Sequence, residues 1–259
     1  MAVERKKWTQ RFTWEWMPSW PCPHCAGGLL KRKEKRGFLE EETAESRKLH
    51  EHPGWDPDWI RGRFAAILRC STCAGLVVMA GSTEVEFVAI AGDPYNLETY
   101  FRPSGFDPAP PLFQIPDQCP PDVRKELGRA WNLFWVDSAA CANRIRSCVE
   151  MILTSQRVKS FGRDRNGKRV QLSLHSRILL YGKRDPAIAD EMMAVKWLGN
   201  AGSHGAERLS TNDMFDGFDL LEHLLEEVFA QRTKVLARIR RDLIRRKGRP
   251  RKRREPKLT

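Results

Sequence analysis

Four cysteines form the strongest chemical pattern in the sequence. They occur as two pairs, Cys22-Pro-His-Cys25 and Cys70-Ser-Thr-Cys73, separated by 44 residues. A Cys-x-x-Cys turn directs two thiolates at one ion, and two such turns complete a tetrahedral zinc site. Sulfur would fill all four positions, so we expect one structural Zn²⁺ and no open position for catalysis. A redox pair is the alternative, and the long spacer requires an insertion in the zinc module.

A second group of polar side chains lies in the glycine-rich junction Lys196-Trp-Leu-Gly-Asn-Ala-Gly-Ser-His204. Asn200 and His204 are four residues apart, so on a continuing helix they would share one face. The glycines at 199, 202 and 205 would let two helices approach closely. The polar pair, with Lys196 one turn earlier, is either a catalytic site or a structural helix end, where an asparagine is common.

The third pattern is a basic segment near the C-terminus. Its centre, Gly248-Arg249-Pro250, resembles an AT-hook, in which an extended Arg-Pro core lies in the narrow minor groove of A·T-rich DNA. The candidate nucleic-acid-binding residues are Arg245, Arg246, Lys247, Gly248, Arg249, Pro250, Arg251, Lys252 and Arg253. The alternative is a disordered basic tail that binds any polyanion, including RNA. Under either interpretation, affinity should fall steeply with salt.

Charge is distributed unevenly along the 259 residues, whose net charge is +12. Residues 238–259 hold 12 Lys and Arg against 2 Asp and Glu, whereas the rest holds 33 against 31. Attraction to a polyanion is therefore concentrated at the C-terminus. The segment Met1–Trp8 is charged and is followed by polar residues, and no apolar run approaches the roughly 20 residues of a membrane span. We therefore expect a cytoplasmic protein with no membrane partner.

The elements that must position the cysteines are short strands. The segments 64–69 and 76–79 flank the second cysteine pair and predict a hairpin bent around a metal site, and 84–90 predicts a third strand. The charged segment 31–48 predicts a solvated helix or loop. We expect residues 1–101 to form a zinc-ribbon-like β module with a charged insertion.

Residues 102–121 contain seven prolines, which predict an extended linker before a helical region. Apolar spacing then predicts a helix over 122–136, and 137–155 either continues it or forms a second helix. Further helices are predicted over 172–181 and 186–198, followed by a long helix capped by Ser210-Thr-Asn-Asp213. We assign residues 122–237 to a helical bundle and 238–259 to the basic tail. The predicted fold class is α+β.

The helical part of the chain, residues 98–232, resembles the family called domain of unknown function 4145. The segments that carry the resemblance are Pro108–Pro116, the helix Ala139–Glu150, and Gly199–His204. The family is prokaryotic, often lies beside restriction and phage-defence systems, and looks like a branch of the helical HEPN superfamily, which includes RNases. The resemblance implies a HEPN-like all-α bundle and a homodimer.

In HEPN RNases an arginine precedes the polar residue and the histidine of the active site. By resemblance, the histidine role would fall on His204 and the polar role on Asn200, but Gly199 occupies the arginine position and Lys196 is the substitute charge. We therefore expect a nucleic-acid-associated protein that binds DNA through its tail in a defence or restriction setting. The alternatives are a metal-independent endoribonuclease that uses His204, and a protein-interaction module that recruits an effector.

Overall fold

The computed structural model describes residues 3–25, 27–32, 37–90, 93–204, 208–230 and 232–249. It is a mixed α+β structure in which an N-terminal β-sheet precedes a set of helices. The sheet strands are β1 (Leu30–Arg32), β2 (Phe38–Glu42), β3 (Arg61–Cys70), β4 (Leu76–Ile90) and β5 (Asp93–Asp107). Short helices α1 (Arg5–Thr9) and α2 (Ala44–Leu49), and a 3₁₀ turn at Pro57–Trp59, lie around them.

The sheet is antiparallel throughout, with β3 between β4 on one side and both β1 and β2 on the other. Alternate residues of β3 are buried, as the period of two along a strand requires. The segments predicted as separate second and third strands form one strand, β4, which pairs along its length with β5. The charged segment 31–48 differs from the prediction where it supplies β2 and part of β1, whereas α2 agrees with the helical alternative.

The second half of the chain is helical apart from a small hairpin of β6 (Phe161–Arg163) and β7 (Arg169–Gln171). The helices are α3 (Pro121–Leu133), α4 (Ser138–Ser155), α5 (Leu174–Gly182), α6 (Pro186–His204), α7 (Thr211–Leu225) and α8 (Arg232–Arg245), with a π-helical turn at Glu226–Ala230. Side chains at the predicted starts cap two of them. Asp137 accepts a hydrogen bond from the Ala140 N–H, and Ser210 and Asp213 form a capping box.

The proline-rich segment 102–121 packs against the protein. Residues 102–107 continue β5, and the following Leu112, Phe113 and Cys119 are buried. The Phe113 ring lies 5.6 Å from that of Trp131 in α3. The prolines therefore do not make this segment a free linker, because apolar residues between them anchor it to the helices.

Helix α6 is longer than the sequence predicted. The expected end lies near Leu198, but α6 continues through Gly199 and Gly202 to His204. The physical reason is tertiary packing, since this end of the helix lies against α4 and burial there outweighs the weak helix propensity of glycine.

Aromatic side chains join the sheet to the helices in one apolar core. Trp135, between α3 and α4, lies 6.0 Å from Trp8 of α1 and 4.7 Å from Phe106 of β5. Arg5 of α1 adds an ion pair of 2.5 Å to Asp216 of α7. In the part of the chain that the structure describes, none of the helices has the length and apolar character that a membrane crossing requires.

Candidate metal centre and nucleic-acid interface

The fold brings the four predicted cysteines together. Cys22 and Cys25 lie in the loop before β1, and Cys70 and Cys73 lie at the turn between β3 and β4. The four Sγ atoms lie within 4.8 Å of one another, with distances of 3.7 Å from Cys22 to Cys73 and 3.6 Å from Cys25 to Cys70. A tetrahedral ion with metal–sulfur bonds of about 2.3 Å separates its sulfurs by about 3.8 Å. The cluster therefore has the spacing needed to hold a metal ion.

Backbone N–H groups surround the sulfurs in both turns. The His24 N–H donates to Cys22 Sγ over 3.3 Å, and the Thr72 N–H donates to Cys70 Sγ over 3.3 Å. Hydrogen bonds from the backbone of Cys73 and Thr72 lower the pKa of Cys70 to about 6, whereas burial raises the pKa of Cys22. Such donors stabilise thiolates, which are the form that binds a metal.

Gly28 and His24 lie beside the four sulfur atoms. A Cβ at Gly28 would lie 2.1 Å from Cys70 Sγ, so any larger residue at this position would displace the sulfur. His24 lies outside the sulfur group and forms a 2.9 Å hydrogen bond through Nε2 with the Leu76 carbonyl oxygen. That contact ties the first turn to β4.

The glycine-rich end of α6 lies directly against α4. A Cβ at Gly199 would come within 2.5 Å of Cβ of Arg146 and 3.1 Å of the Ala142 carbonyl oxygen. A Cβ at Gly202 would come within 2.9 Å of the Ala139 carbonyl oxygen. The glycines therefore allow close helix approach, and the Arg146 side chain covers the position of Gly199.

The predicted catalytic residues have different environments at this junction. Lys196 is buried, and its Nζ lies 3.4 Å from the ring centroid of the exposed Trp197. Asn200 is half-buried. His204 is the last residue of α6, and its side chain lies outside the described part of the chain. Arg146 adds a cation to the junction, and its guanidinium lies 3.6 Å from Glu150.

Helix α8 carries the basic residues that precede the tail. From Val235 to Arg249 every residue is exposed or half-buried, so α8 contributes nothing to the buried core over this range. Asp242 pairs with Arg245 at 2.9 Å and with Arg246 at 3.3 Å. The exposed Arg238, Arg240 and Arg241 have no ion-pair partner among the described residues.

The excess of basic over acidic residues begins at the start of α8. Residues 232–259 hold 14 Lys and Arg against 2 Asp and Glu, a net charge of +12, and residues 1–231 hold 31 of each. The whole net charge of the protein therefore lies on α8 and the residues after it. The sequence interpretation placed this boundary six residues too late, because it used composition without the start of the helix.

The end of α8 gives Gly248 a structural role. Lys247 and Gly248 have φ angles of 49° and 75°, and the Gly248 N–H donates to the Leu243 carbonyl oxygen over 3.1 Å. A left-handed glycine is a common way to end a helix, and a proline often stands one or two residues later, as Pro250 does in this sequence. Gly248 is thus not extended, in contrast to the AT-hook interpretation. Pro250, Arg251, Lys252 and Arg253 lie outside the described residues.

A charged cluster between α3 and α4 was not predicted from the sequence. The carboxylate of Glu126 is buried, and it accepts hydrogen bonds of 2.9 Å from both Arg129 and Arg144. Burial acts to raise the pKa of Glu126, but the two arginines outweigh it and lower the pKa. Glu126 occupies an apolar-facing position of α3, and an acidic residue at such a position is the signal that could have revealed the cluster.

Two family models match separate parts of the chain. Residues 10–106, which contain all four cysteines and the sheet, match a domain of unknown function, DUF8608. Comparison with curated proteins and with solved structures finds no match. Residues 128–242, from α3 into α8, match the domain of unknown function DUF4145, which confirms that the helical part of this chain is similar to that family.

Proposed function

We propose that this protein binds nucleic acid through α8 and the basic residues that follow it. The observation that carries the proposal is the confinement of the net charge of +12 to residues 232–259, on a helix whose described side chains lie outside the core. Exposed arginines without carboxylate partners are available to phosphates, and release of condensed counterions from the nucleic acid drives such binding. A restriction or phage-defence setting follows from the family resemblance and remains part of the proposal.

The structure supports a sequence-independent contact with phosphates. The basic surface of α8 is formed by the exposed side chains of Arg238, Arg240 and Arg241, which precede the basic tail. The turn at Gly248 ends the helix and changes the chain direction before Arg249. An A·T-specific hook would have to unwind this turn. A contact with phosphates alone therefore predicts equal affinity for A·T-rich and G·C-rich duplexes.

The test is fluorescence anisotropy with labelled duplex DNA and single-stranded RNA. The variant Arg238→Gln/Arg240→Gln/Arg241→Gln should lose about tenfold or more in affinity at moderate salt. The matched control, Arg163→Gln/Arg165→Gln/Lys168→Gln, removes the same charge from exposed positions of the β6–β7 hairpin and should bind as wild type. Equal losses in both variants would mean that net charge, and not α8, determines binding.

We also propose that the ion held by the cysteine cluster is a structural Zn²⁺. The support is the set of four sulfur donors, their tetrahedral spacing and the N–H groups that surround them. Bound zinc would fasten the loop before β1 to the β3–β4 hairpin. Elemental analysis should find one zinc per chain, and absence of any stoichiometric metal would remove this proposal.

Endoribonuclease activity at the α4–α6 junction is the second candidate. The observation that favours it is the position of Arg146, whose side chain covers Gly199 and supplies a guanidinium where α6 has glycine in the arginine position. Cleavage of RNA in the presence of EDTA should then be lost in both His204→Ala and Arg146→Gln. If purified protein leaves RNA intact, or if His204→Ala cleaves as wild type does, the candidate is eliminated.

A further inference from the structure

Arg177 of α5 is a buried cation with incomplete hydrogen bonding. Arg177 is 7% exposed, and its guanidinium donates hydrogen bonds to the Glu150 carbonyl oxygen, Thr154 Oγ1 and the Val158 carbonyl oxygen. These acceptors are neutral, and among the described residues no carboxylate pairs with it. Its Nε is buried and has no hydrogen-bond partner. Burial of an unpaired charge is costly, so an anion beside Arg177 would stabilise the protein.

Two cavities meet at Arg177. The smaller, of 350 Å³, is lined by Ser160, Gln171, Ser173 and the start of α5, and the larger, of 690 Å³, lies between α3 and α4. Both have Glu150 and Arg177 in their walls. The hydroxyl of Ser160, the amide of Gln171 and the Arg177 guanidinium favour a phosphate in the smaller cavity. Ser173 caps the first turn of α5, and the Glu150 carboxylate lies 3.6 Å from Arg146.

The larger cavity has a different lining. Most of its wall is charged or hydroxyl side chains, with apolar surface from Val123 and Met151. Arg129 and Arg144 lie in this wall and are held by Glu126. Arg144 and Glu150 are six residues apart on α4, which corresponds to about 9 Å along the helix axis. A nucleoside, which combines a flat ring with several polar edges, would contact both the apolar and the polar side chains of this wall.

We infer that this pair of cavities binds a nucleotide, with a phosphate at Arg177 and the nucleoside between α3 and α4. The site is separate from α8, which carries the proposed nucleic-acid contact. The same phosphate chemistry could come from a free nucleotide or from an RNA strand, and the experiment separates the two sources.

The experiment measures thermal stability and binding of the full chain with inorganic phosphate, ATP and a short RNA. ATP should raise the melting temperature of the wild type in a saturable way, with phosphate acting more weakly. Arg177→Gln should weaken ATP binding by about tenfold, since a charge-assisted hydrogen bond is lost. The control Arg184→Gln removes an exposed arginine two residues after the end of α5 and should bind as wild type.

Gln171→Glu keeps the experiment decisive if Arg177→Gln does not fold. The new carboxylate would supply the missing counter-charge in the smaller cavity, so the ligand-free variant should melt at a higher temperature and lose ATP binding. Absence of a saturable ATP effect on the wild type would overturn the inference. Undiminished ATP binding by both variants, or Arg177-dependent binding of RNA alone, would overturn it as well.

Discussion

The close contact between α4 and α6 predicts opposite effects of two glycine-to-alanine substitutions. At Gly199, an added Cβ would lie 2.5 Å from Arg146 Cβ, an atom that cannot move without its backbone. At Gly128, inside α3, an added Cβ meets nothing within 4 Å. Both positions are helical, so the gain in helix propensity from alanine is the same at each, about 1 kcal/mol.

The magnitudes follow from these distances. Overpacking of a core contact costs about 1–3 kcal/mol, and an overlap with a Cβ that cannot move without its backbone belongs in the upper part of that range, about 2–3 kcal/mol. After the propensity gain of about 1 kcal/mol, Gly199→Ala should lose about 1–2 kcal/mol of unfolding free energy. Gly128→Ala should gain about 0.5–1 kcal/mol. For a protein of this size each kcal/mol corresponds to about 2–4 °C in melting temperature. The two variants should therefore differ clearly, and in sign.

Urea denaturation of the two variants and the wild type gives the free energies, and a thermal melt gives an independent ranking. If Gly199→Ala is as stable as Gly128→Ala, α6 does not approach α4 as described, and the placement of Arg146 over Gly199 fails with it. Gly217→Ala gives an intermediate case, because its added Cβ would meet the mobile end of Leu198 at 2.4 Å. Gly217→Ala should therefore lose less unfolding free energy than Gly199→Ala.

The remaining predictions concern the metal and two titrating groups. Prolonged chelation should lower the melting temperature and release one zinc per chain, whereas an unchanged melt after complete metal removal would contradict a structural role. Glu126→Gln should cost about 2 kcal/mol, because two arginines lose their buried partner. Because the pKa of Glu126 is lowered in the folded protein, its contribution to the free energy of unfolding is present above the unfolded pKa and is lost as pH falls through the folded pKa. Identical acid melts of the wild type and Glu126→Gln would contradict this. The hydrogen bond with Glu191 raises the pKa of His223, and the charges of Glu227 and Glu226 raise it further. The small contribution of His223 to the free energy of unfolding should be present below about pH 6.5 and lost as pH rises through the folded pKa, and Glu191→Gln should reduce that dependence.

Local signals in the sequence predicted much of the helical part. Ser210 caps a helix where the sequence indicated, because capping depends on residues within one turn. Asp137, the first residue of a predicted helical segment, is the N-cap of α4. The cysteine cluster was predictable for a similar reason, since the two short motifs fix the donor atoms of each pair. The assembly of the pairs across 44 residues depended on the β3–β4 hairpin, which apolar alternation also indicated.

Features that depend on contacts between distant segments could not be predicted in this way. The glycines at 199 and 202 predict a helix end when only local propensity is considered, and the neighbouring surface of α4 keeps them helical. The contact between Arg146 and Gly199 joins residues 53 positions apart, so its geometry depends on how α4 and α6 pack. Arg177 is hidden similarly, because burial of one arginine in a basic chain leaves no mark on the sequence.

The proposed nucleic-acid contact is tested most directly by the salt dependence of binding. The logarithm of the duplex-binding constant should fall linearly with the logarithm of salt concentration, by about 0.9 for each phosphate neutralised. Loss of Arg238, Arg240 and Arg241 should then make the slope shallower by about 2–3, while the hairpin control keeps the wild-type slope. An α8 variant with the same slope as the wild type would contradict the assignment of nucleic-acid binding to this helix.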